Sequence, residues 1–120
     1  AGIVRRAVEM MRSEFGAEPY DLRAASGPAA LACCYEVGAD VIGAFGEGAA
    51  QLFTPTRDGH ALVDLHRANC DQLFAAGLNP ARIHTAPLCT ISRPDLFFSY
   101  RREKRLAGRV GRLLSVIGRR

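Results

Sequence analysis

Two adjacent arginines, Arg101 and Arg102, follow the aromatic stretch Phe-Phe-Ser-Tyr near the end of the chain. A guanidinium group carries five N–H donors in a planar fork, and it binds a phosphate group through two parallel hydrogen bonds. We expect the phenylalanines to begin a strand in the core, so that the two arginines leave on opposite faces and one points into a pocket. The alternative is a strand-end arginine that pairs with Asp95 or Glu103 at the surface.

Cysteine and histidine residues are candidate metal ligands, but their spacing does not define a site. His66 and Cys70 lie four residues apart on a predicted helix and would share a face, which gives two of the three or four ligands that zinc needs. The other candidates are Cys33, Cys34, His60, His84 and Cys89. Because nothing in the spacing requires them to meet, we assign no metal ligand.

The adjacent Cys33 and Cys34 follow a Gly-Pro turn and precede a predicted helix, whose N-terminus could lower a thiol pKa. No partner base lies close in sequence, so structural packing is favoured over nucleophilic chemistry. Tyr35 and Glu36, which come next, are candidate substrate contacts. Glu36 is equally well explained as an acidic residue that suits the dipole at a helix start. Cysteines without a repeated spacing favour reduced thiols, and we therefore expect a cytoplasmic protein.

The positive charge is concentrated at one end of the chain. The net charge is +4 over 120 residues, yet residues 101–120 carry eight arginine or lysine residues against the single Glu103. Such a basic end attracts anions, either nucleic acid or a small phosphorylated substrate, unless it is only a solvated face. No apolar run approaches the roughly 18 residues of a membrane span, and the charged residues of 1–15 are not typical of a signal peptide.

The remaining pattern predicts alternating helices and strands. An amphipathic helix is expected over 1–15, with Gly16 as its C-cap, and a second one after the N-cap Asp64. A short helix should end near Phe45. Strands are predicted in four segments, namely YDLRAAS, QLFTP, RIHTAPLCT and GRLLSVI, with PDLFFSY as a loop that enters a further strand. This order indicates one mixed α/β domain.

The order of three motifs resembles the laccase-domain family, whose members carry the names polyphenol oxidoreductase and purine nucleoside phosphorylase. The motifs are GPAALACCYEVGADVIGAF, VDLHRANCDQLFAAGL and LCTISRPDLFFSYRRE, the last followed by a Gly-Arg pair. The resemblance covers nearly all 120 residues and corresponds to the C-terminal half of the family. It implies a fold of α-β-β-α type, in which mixed sheets are layered with helices, and residues 1–120 would form a single partial domain.

The resemblance also implies a function. A complete member would use zinc or copper and would cleave purine nucleosides with inorganic phosphate, including adenosine, inosine and methylthioadenosine, with adenosine deamination as a further activity. It implies that the metal ligands, His, Cys and His, lie in the N-terminal half and have no counterpart here. The family's Thr-Gly-Arg motif corresponds either to Ala107-Gly108-Arg109, which makes Arg109 a substrate-binding candidate, or to Val110-Gly111-Arg112.

A second hypothesis is a non-catalytic binding module whose basic end holds nucleic acid or a partner chain. In that reading Tyr100 and the arginines would stack on bases and neutralise phosphates, with binding that weakens steeply as salt rises. We favour the enzyme half, and we do not expect nucleic acid or membrane partners. A half-domain would expose sheet edges or apolar surface, so self-association or pairing with an N-terminal half is expected.

Overall fold

A computed structural model describes residues 2–104 and 110–118. The α-helical segments in these ranges are α1 (Ile3–Phe15), α2 (Ala39–Phe45), α3 (Leu65–Ala75) and the single turn α4 (Tyr100–Glu103), and three short 3₁₀ helices also occur there. The strands are β1 (Ala24–Ser26), β2 (Glu36–Gly38), β3 (Phe53–Pro55), β4 (His60–Val63) and β5 (Ile83–Thr85). The mixed α/β architecture predicted from the sequence is confirmed.

The five strands form two small sheets. β1 pairs with β5 in parallel, with Ala25 opposite His84. β2, β4 and β3 form an antiparallel sheet in that order, with Val37 opposite Ala61. Two of these strands, β2 and β4, were not predicted from the sequence, and Glu36 lies on a strand and not at a helix start. The burial pattern of β4 alternates as expected for a strand with one face in the core.

Helix α1 ends and helix α3 begins where the sequence predicts, whereas α1 begins at Ile3 and the C-cap of α3 is Ala76. Helix α1 ends at Phe15 because Gly16 adopts a left-handed conformation and its N–H bonds back to the carbonyl oxygen of Arg12. The Asp64 side chain caps α3 by accepting a hydrogen bond from the N–H of Arg67 at 2.9 Å. None of the helices in the described part of the chain has the length and apolar character of a membrane span.

The core is small and lies between the helices and the two sheets. Its buried apolar residues come from α1, α3, the antiparallel sheet and the loops that join them, namely Val8, Val37, Leu52, Ala61, Val63, Ala68, Leu78 and Cys89. Val63 at the centre of this set is fully buried. Because Val37 belongs to this core, the strand β2 that carries Glu36 is anchored in it.

The C-terminal predictions of strand structure are wrong. Residues 97–102 do not form a strand, because Ser99 begins the helical turn α4. The segment 111–117 also lacks strand pairing, and Leu114 and Ile117 are more than four-fifths exposed, so its apolar side chains do not pack as those of a core strand would. Within this segment Gly111 lies against the ring of Phe98, where an added methyl group would overlap the ring.

Candidate functional site

Helical turn α4 positions the two arginines and is set by capping interactions. The hydroxyl oxygen of Ser99 accepts a hydrogen bond from the N–H of Arg102 at 3.4 Å, while the carboxylate of Glu103 accepts one from the N–H of Ser99 at 3.1 Å. This reciprocal pattern resembles a capping box. Because the backbone is helical, Arg101 and Arg102 diverge by a helical step instead of alternating as they would on a strand.

Arg102 holds the local backbone together. Its half-buried guanidinium donates to the carbonyl oxygens of Thr90 at 2.7 Å, Ile91 at 3.0 Å and Phe97 at 2.7 Å. It also pairs with the carboxylate of Glu103 at 2.9 Å. The side chain thus joins the loop after β5 to α4. The alternative that an arginine pairs with Glu103 is therefore observed for Arg102. The pair is not at the open surface, however, because both side chains are only about one-fifth exposed.

Arg101 has a different environment. Its Nη1 donates to the backbone carbonyl oxygen of Glu36 at 2.8 Å, and its Cζ lies 4.9 Å from the centre of the Tyr35 ring. Among the described residues it has no carboxylate partner, whereas Asp95 pairs with Arg93. The exposed guanidinium is therefore oriented by a carbonyl and by a cation–π contact, and most of its N–H donors have no protein partner among the described residues.

Two clefts meet at Arg101. The first, called here the aromatic cleft, has a volume of about 780 Å³ and is lined by Tyr35, Leu65, Phe98, Tyr100, Arg101 and Lys104, among others. The second, the charged cleft, has a volume of about 590 Å³ and is lined by Cys34, Glu36, Arg57, His60, Arg101 and Arg102, among others. Both volumes lie within the range of small-molecule sites. A ligand in either cleft would be within reach of Arg101.

Glu36 lies on β2, and its carboxylate is already paired. It accepts hydrogen bonds from the hydroxyl of Thr56 at 2.7 Å and from Arg57 at 2.9 and 3.2 Å. These bonds to Arg57 and Thr56 lower the pKa of Glu36 to about 2. The carboxylate therefore stabilises the turn between β3 and β4, while the backbone carbonyl of the same residue contacts Arg101.

Three cysteines, Cys33, Cys34 and Cys89, form a group called here the cysteine cluster. Their sulfur atoms all lie within 4.8 Å of one another, and those of Cys33 and Cys34 are 3.2 Å apart. The parallel pairing of β1 and β5 continues in a bridge between Ala29 and Cys89, which places Cys89 beside the turn that carries the other two. All three are free cysteines.

The thiols of the cysteine cluster have divergent pKa values. Burial would raise the pKa of Cys89, but backbone N–H donors from Leu31, Ser92 and Ile91 and the Ser92 hydroxyl outweigh it and lower the pKa to about 6. The hydrogen bond with Cys33, burial and the neighbouring Cys89 raise the pKa of Cys34 to about 12. The surroundings thus favour the thiolate form of Cys89 and the thiol form of Cys34.

The structure brings together most of the residues proposed from the sequence. Tyr35, Glu36, Arg101 and Arg102 lie around the two clefts, while Arg109 lies outside the described residues. His66 is half-buried and contacts the carbonyl oxygen of Gly27 at 3.0 Å. Sequence reasoning missed Arg57 and Lys104, which have no distinctive local motif, and the close approach of Cys89 to the other two cysteines, which depends on strand pairing.

The chain has a mixed α/β fold with two clefts that share Arg101. Cationic side chains line both clefts, and aromatic rings line the first. Residues 1–120 match the family described as multi-copper polyphenol oxidoreductase laccase, and the chain belongs to this family. It is 44% identical over 106 residues to a Xylella fastidiosa protein named purine nucleoside phosphorylase, covering 86% of this chain and 39% of that protein.

Other relatives agree with this placement. The Geobacillus stearothermophilus protein named purine nucleoside phosphorylase YlmD is 34% identical over 123 residues, covering 99% of this chain and 44% of that protein. The crystal structure of YlmD from G. stearothermophilus matches with a TM-score of 0.80 at 32% identity, covering 86% of this chain and 40% of the other. YfiH from Bacillus licheniformis gives a TM-score of 0.79 at 33% identity, covering 86% and 40%. The chain thus spans about two fifths of the length of its relatives.

The family description names copper, and a copper centre requires particular types of ligand atom. Oxidase centres that cycle through Cu(II) rely on imidazole nitrogens. In the described part of the chain, the one group of three or more close metal-ligand side chains is the cysteine cluster, which contains no histidine. These residues therefore do not fit a multi-copper centre, although an all-sulfur group is compatible with binding of a metal ion.

Proposed function

We propose that this chain supplies the phosphate-binding side of a purine nucleoside phosphorylase, with Arg101 as the residue that binds the phosphate. The observation that carries the proposal is the position of Arg101, which is fixed by Tyr35 and the carbonyl of Glu36 between two clefts while most of its donors remain exposed. The names of the relatives at 34% and 44% identity support the same reaction.

In phosphorolysis a phosphate oxygen forms a bond to the anomeric carbon of the ribose while the glycosidic bond breaks. The bonding electrons leave with the purine, which takes up a proton, and the products are a sugar phosphate and a free base. Arg101 would hold the attacking phosphate through two N–H donors and balance its charge. Lys104 also lines the aromatic cleft, where the exposed rings of Phe98 and Tyr100 offer faces for a purine.

The same proposal covers the nucleoside substrates, a second activity and the metal. Adenosine, inosine and methylthioadenosine are the proposed nucleosides, with adenosine deamination as a further activity and zinc or copper as the metal of the complete enzyme. We assign its ligands to residues outside this chain. The 120-residue chain by itself is then expected to bind phosphate and nucleoside weakly and to show no turnover of inosine.

Binding to the purified 120-residue chain tests the proposal. Isothermal titration with inorganic phosphate and with inosine should give weak but measurable affinity, and Arg101→Ala should lower the phosphate affinity about tenfold or more. Arg101→Lys should retain part of it, since an ammonium group keeps the charge but loses the fork. Arg5→Ala is the matched control, because Arg5 is an exposed arginine on α1 that pairs with Glu9 and does not line either cleft.

Two results would contradict the proposal. One is an equal loss of phosphate affinity in Arg101→Ala and Arg5→Ala, which would indicate nonspecific attraction to a basic protein. The other is binding of single-stranded nucleic acid with a steep salt dependence and without any purine nucleoside binding, which would favour the binding-module hypothesis. Phosphorolysis of inosine by the metal-loaded chain alone would refute the expectation that it is inactive.

A further inference from the structure

The cysteine cluster has the geometry of a metal site that is independent of the clefts' role in phosphate binding. A zinc ion with sulfur ligands at about 2.3 Å in a tetrahedral arrangement requires sulfur atoms roughly 3.8 Å apart. The three sulfur atoms lie within 4.8 Å of one another, with one pair at 3.2 Å. Shifts of well under 1.5 Å, within the range of side-chain rotation, would bring all three to ligand distance.

The position of Cys89 in the fold suits a metal ligand. The residue is only 5% exposed, and its parallel bridge to Ala29 holds it beside the turn that carries Cys33 and Cys34. A side chain whose position is fixed before binding loses little conformational freedom when an ion arrives. Cys89 is therefore a preformed ligand of the proposed site.

Exposure differs across the cluster in a way that leaves room for a fourth ligand. Cys89 is buried, Cys34 is half-buried and Cys33 is exposed. An ion held by these three sulfur atoms would thus have its open position toward solvent, where a water molecule or an incoming ligand could bind. Cys34 also lines the charged cleft, so that the ion would lie close to its edge.

We propose that Cys33, Cys34 and Cys89 bind a single thiophilic d¹⁰ ion, Zn²⁺ or Cu⁺, through three thiolates. All-sulfur sites select such ions, and carboxylate-preferring ions such as Mg²⁺ and Ca²⁺ are excluded by ligand type. Binding involves no change of oxidation state: the thiols that are still protonated release their protons to solvent as the metal–sulfur bonds form. The site joins the loop after β5 to the turn before β2.

Metal binding by the reduced 120-residue chain tests this site without any activity assay. One Zn²⁺ per chain is expected by elemental analysis after removal of excess metal. Co²⁺ substitution should give the absorption bands of thiolate-to-metal charge transfer and of tetrahedral coordination. In a parallel anaerobic experiment, Cu⁺ is offered against a competing Cu⁺ chelator, and comparison of the two affinities distinguishes the two ions.

Cysteine variants locate the site. Cys33→Ser and Cys34→Ser should each lower the Zn²⁺ affinity by about 100-fold or more and remove part of the charge-transfer absorption. Cys89→Ala should abolish binding, and since Cys89 is buried its fold must be checked by circular dichroism. Cys70→Ser is the matched control, because Cys70 is a free cysteine on α3 outside the cluster, and it should bind metal as the parent chain does.

Three outcomes would overturn the proposal. The first is unchanged Zn²⁺ and Cu⁺ affinity in folded Cys33→Ser and Cys34→Ser. The second is loss of binding in Cys70→Ser, which would place the metal on α3. The third is equal rates of alkylation of Cys33 and Cys34 with and without Zn²⁺, since sulfur bound to a metal reacts more slowly than the free thiolate.

Discussion

Arg101 and Arg102 are neighbours in sequence and yet serve opposite purposes. Arg102 uses its guanidinium on three backbone carbonyls and one carboxylate, and it is half-buried. Arg101 uses one donor on a carbonyl, lies over an aromatic ring and stays exposed between two clefts. Two adjacent arginines can therefore differ in role: Arg102 holds the local backbone together, whereas Arg101 keeps most of its donors without a partner among the described residues.

The largest expected effect is a loss of stability on substitution of Arg102, and it distinguishes the roles of the two arginines. Arg102→Ala removes the partner of three carbonyl groups and of Glu103, and we expect the free energy of unfolding to fall by about 2–4 kcal/mol. Chemical denaturation monitored by circular dichroism measures it. Arg102→Lys should recover only a minor part, because one ammonium group cannot reach all the carbonyls. A loss below about 0.5 kcal/mol in Arg102→Ala would mean that the two arginines are alike.

A smaller effect concerns Glu36, whose carbonyl contacts Arg101 while its carboxylate holds Thr56 and Arg57. Because the pKa of this carboxyl is lowered from 4.5 to about 2, its stabilising contribution is fully present above about pH 4.5 and is lost as the pH falls toward 2. In Glu36→Gln this pH dependence should be missing. Denaturation midpoints measured from pH 6 to pH 2 test it, with Glu47→Gln as an exposed control. Parallel pH curves for the parent chain and Glu36→Gln would contradict the assignment.

The smallest expected effect on stability is that of Arg101→Ala. An exposed cation–π contact and one hydrogen bond at the surface contribute together about 1 kcal/mol or less. The same denaturation experiment should therefore place Arg101→Ala close to the parent chain, although its phosphate affinity falls. A destabilisation as large as that of Arg102→Ala would give Arg101 a structural role and remove the contrast.

Sequence reasoning identified the elements whose signals are local. The C-terminal end of α1 follows from Gly16 and the start of α3 follows from Asp64, because the capping interactions of both residues involve only nearby backbone groups. The same reasoning failed at α4, although Ser99 is a favoured N-cap residue, because the aromatic residues before it favoured a strand.

The candidate site was predictable in composition but not in arrangement. Tyr35, Glu36 and the two arginines were identified as site residues, whereas the division of roles between Arg101 and Arg102 depends on carbonyl groups that no sequence pattern reveals. The cysteine cluster could not be predicted for a similar reason. Cys89 meets the other two only through the parallel alignment of β1 and β5, which joins residues far apart in the chain.

The contact between Gly111 and Phe98 gives the terminal segment an influence on ligand binding. Phe98 lines the aromatic cleft, and its ring also lies so close to Gly111 that no side chain would fit at that position. If a ligand in the cleft moves this ring, then that ligand and a partner that binds residues 110–118 must change each other's affinity by the same factor. A short stretch without regular secondary structure would in this way act as a tuning element for a pocket that it does not itself line.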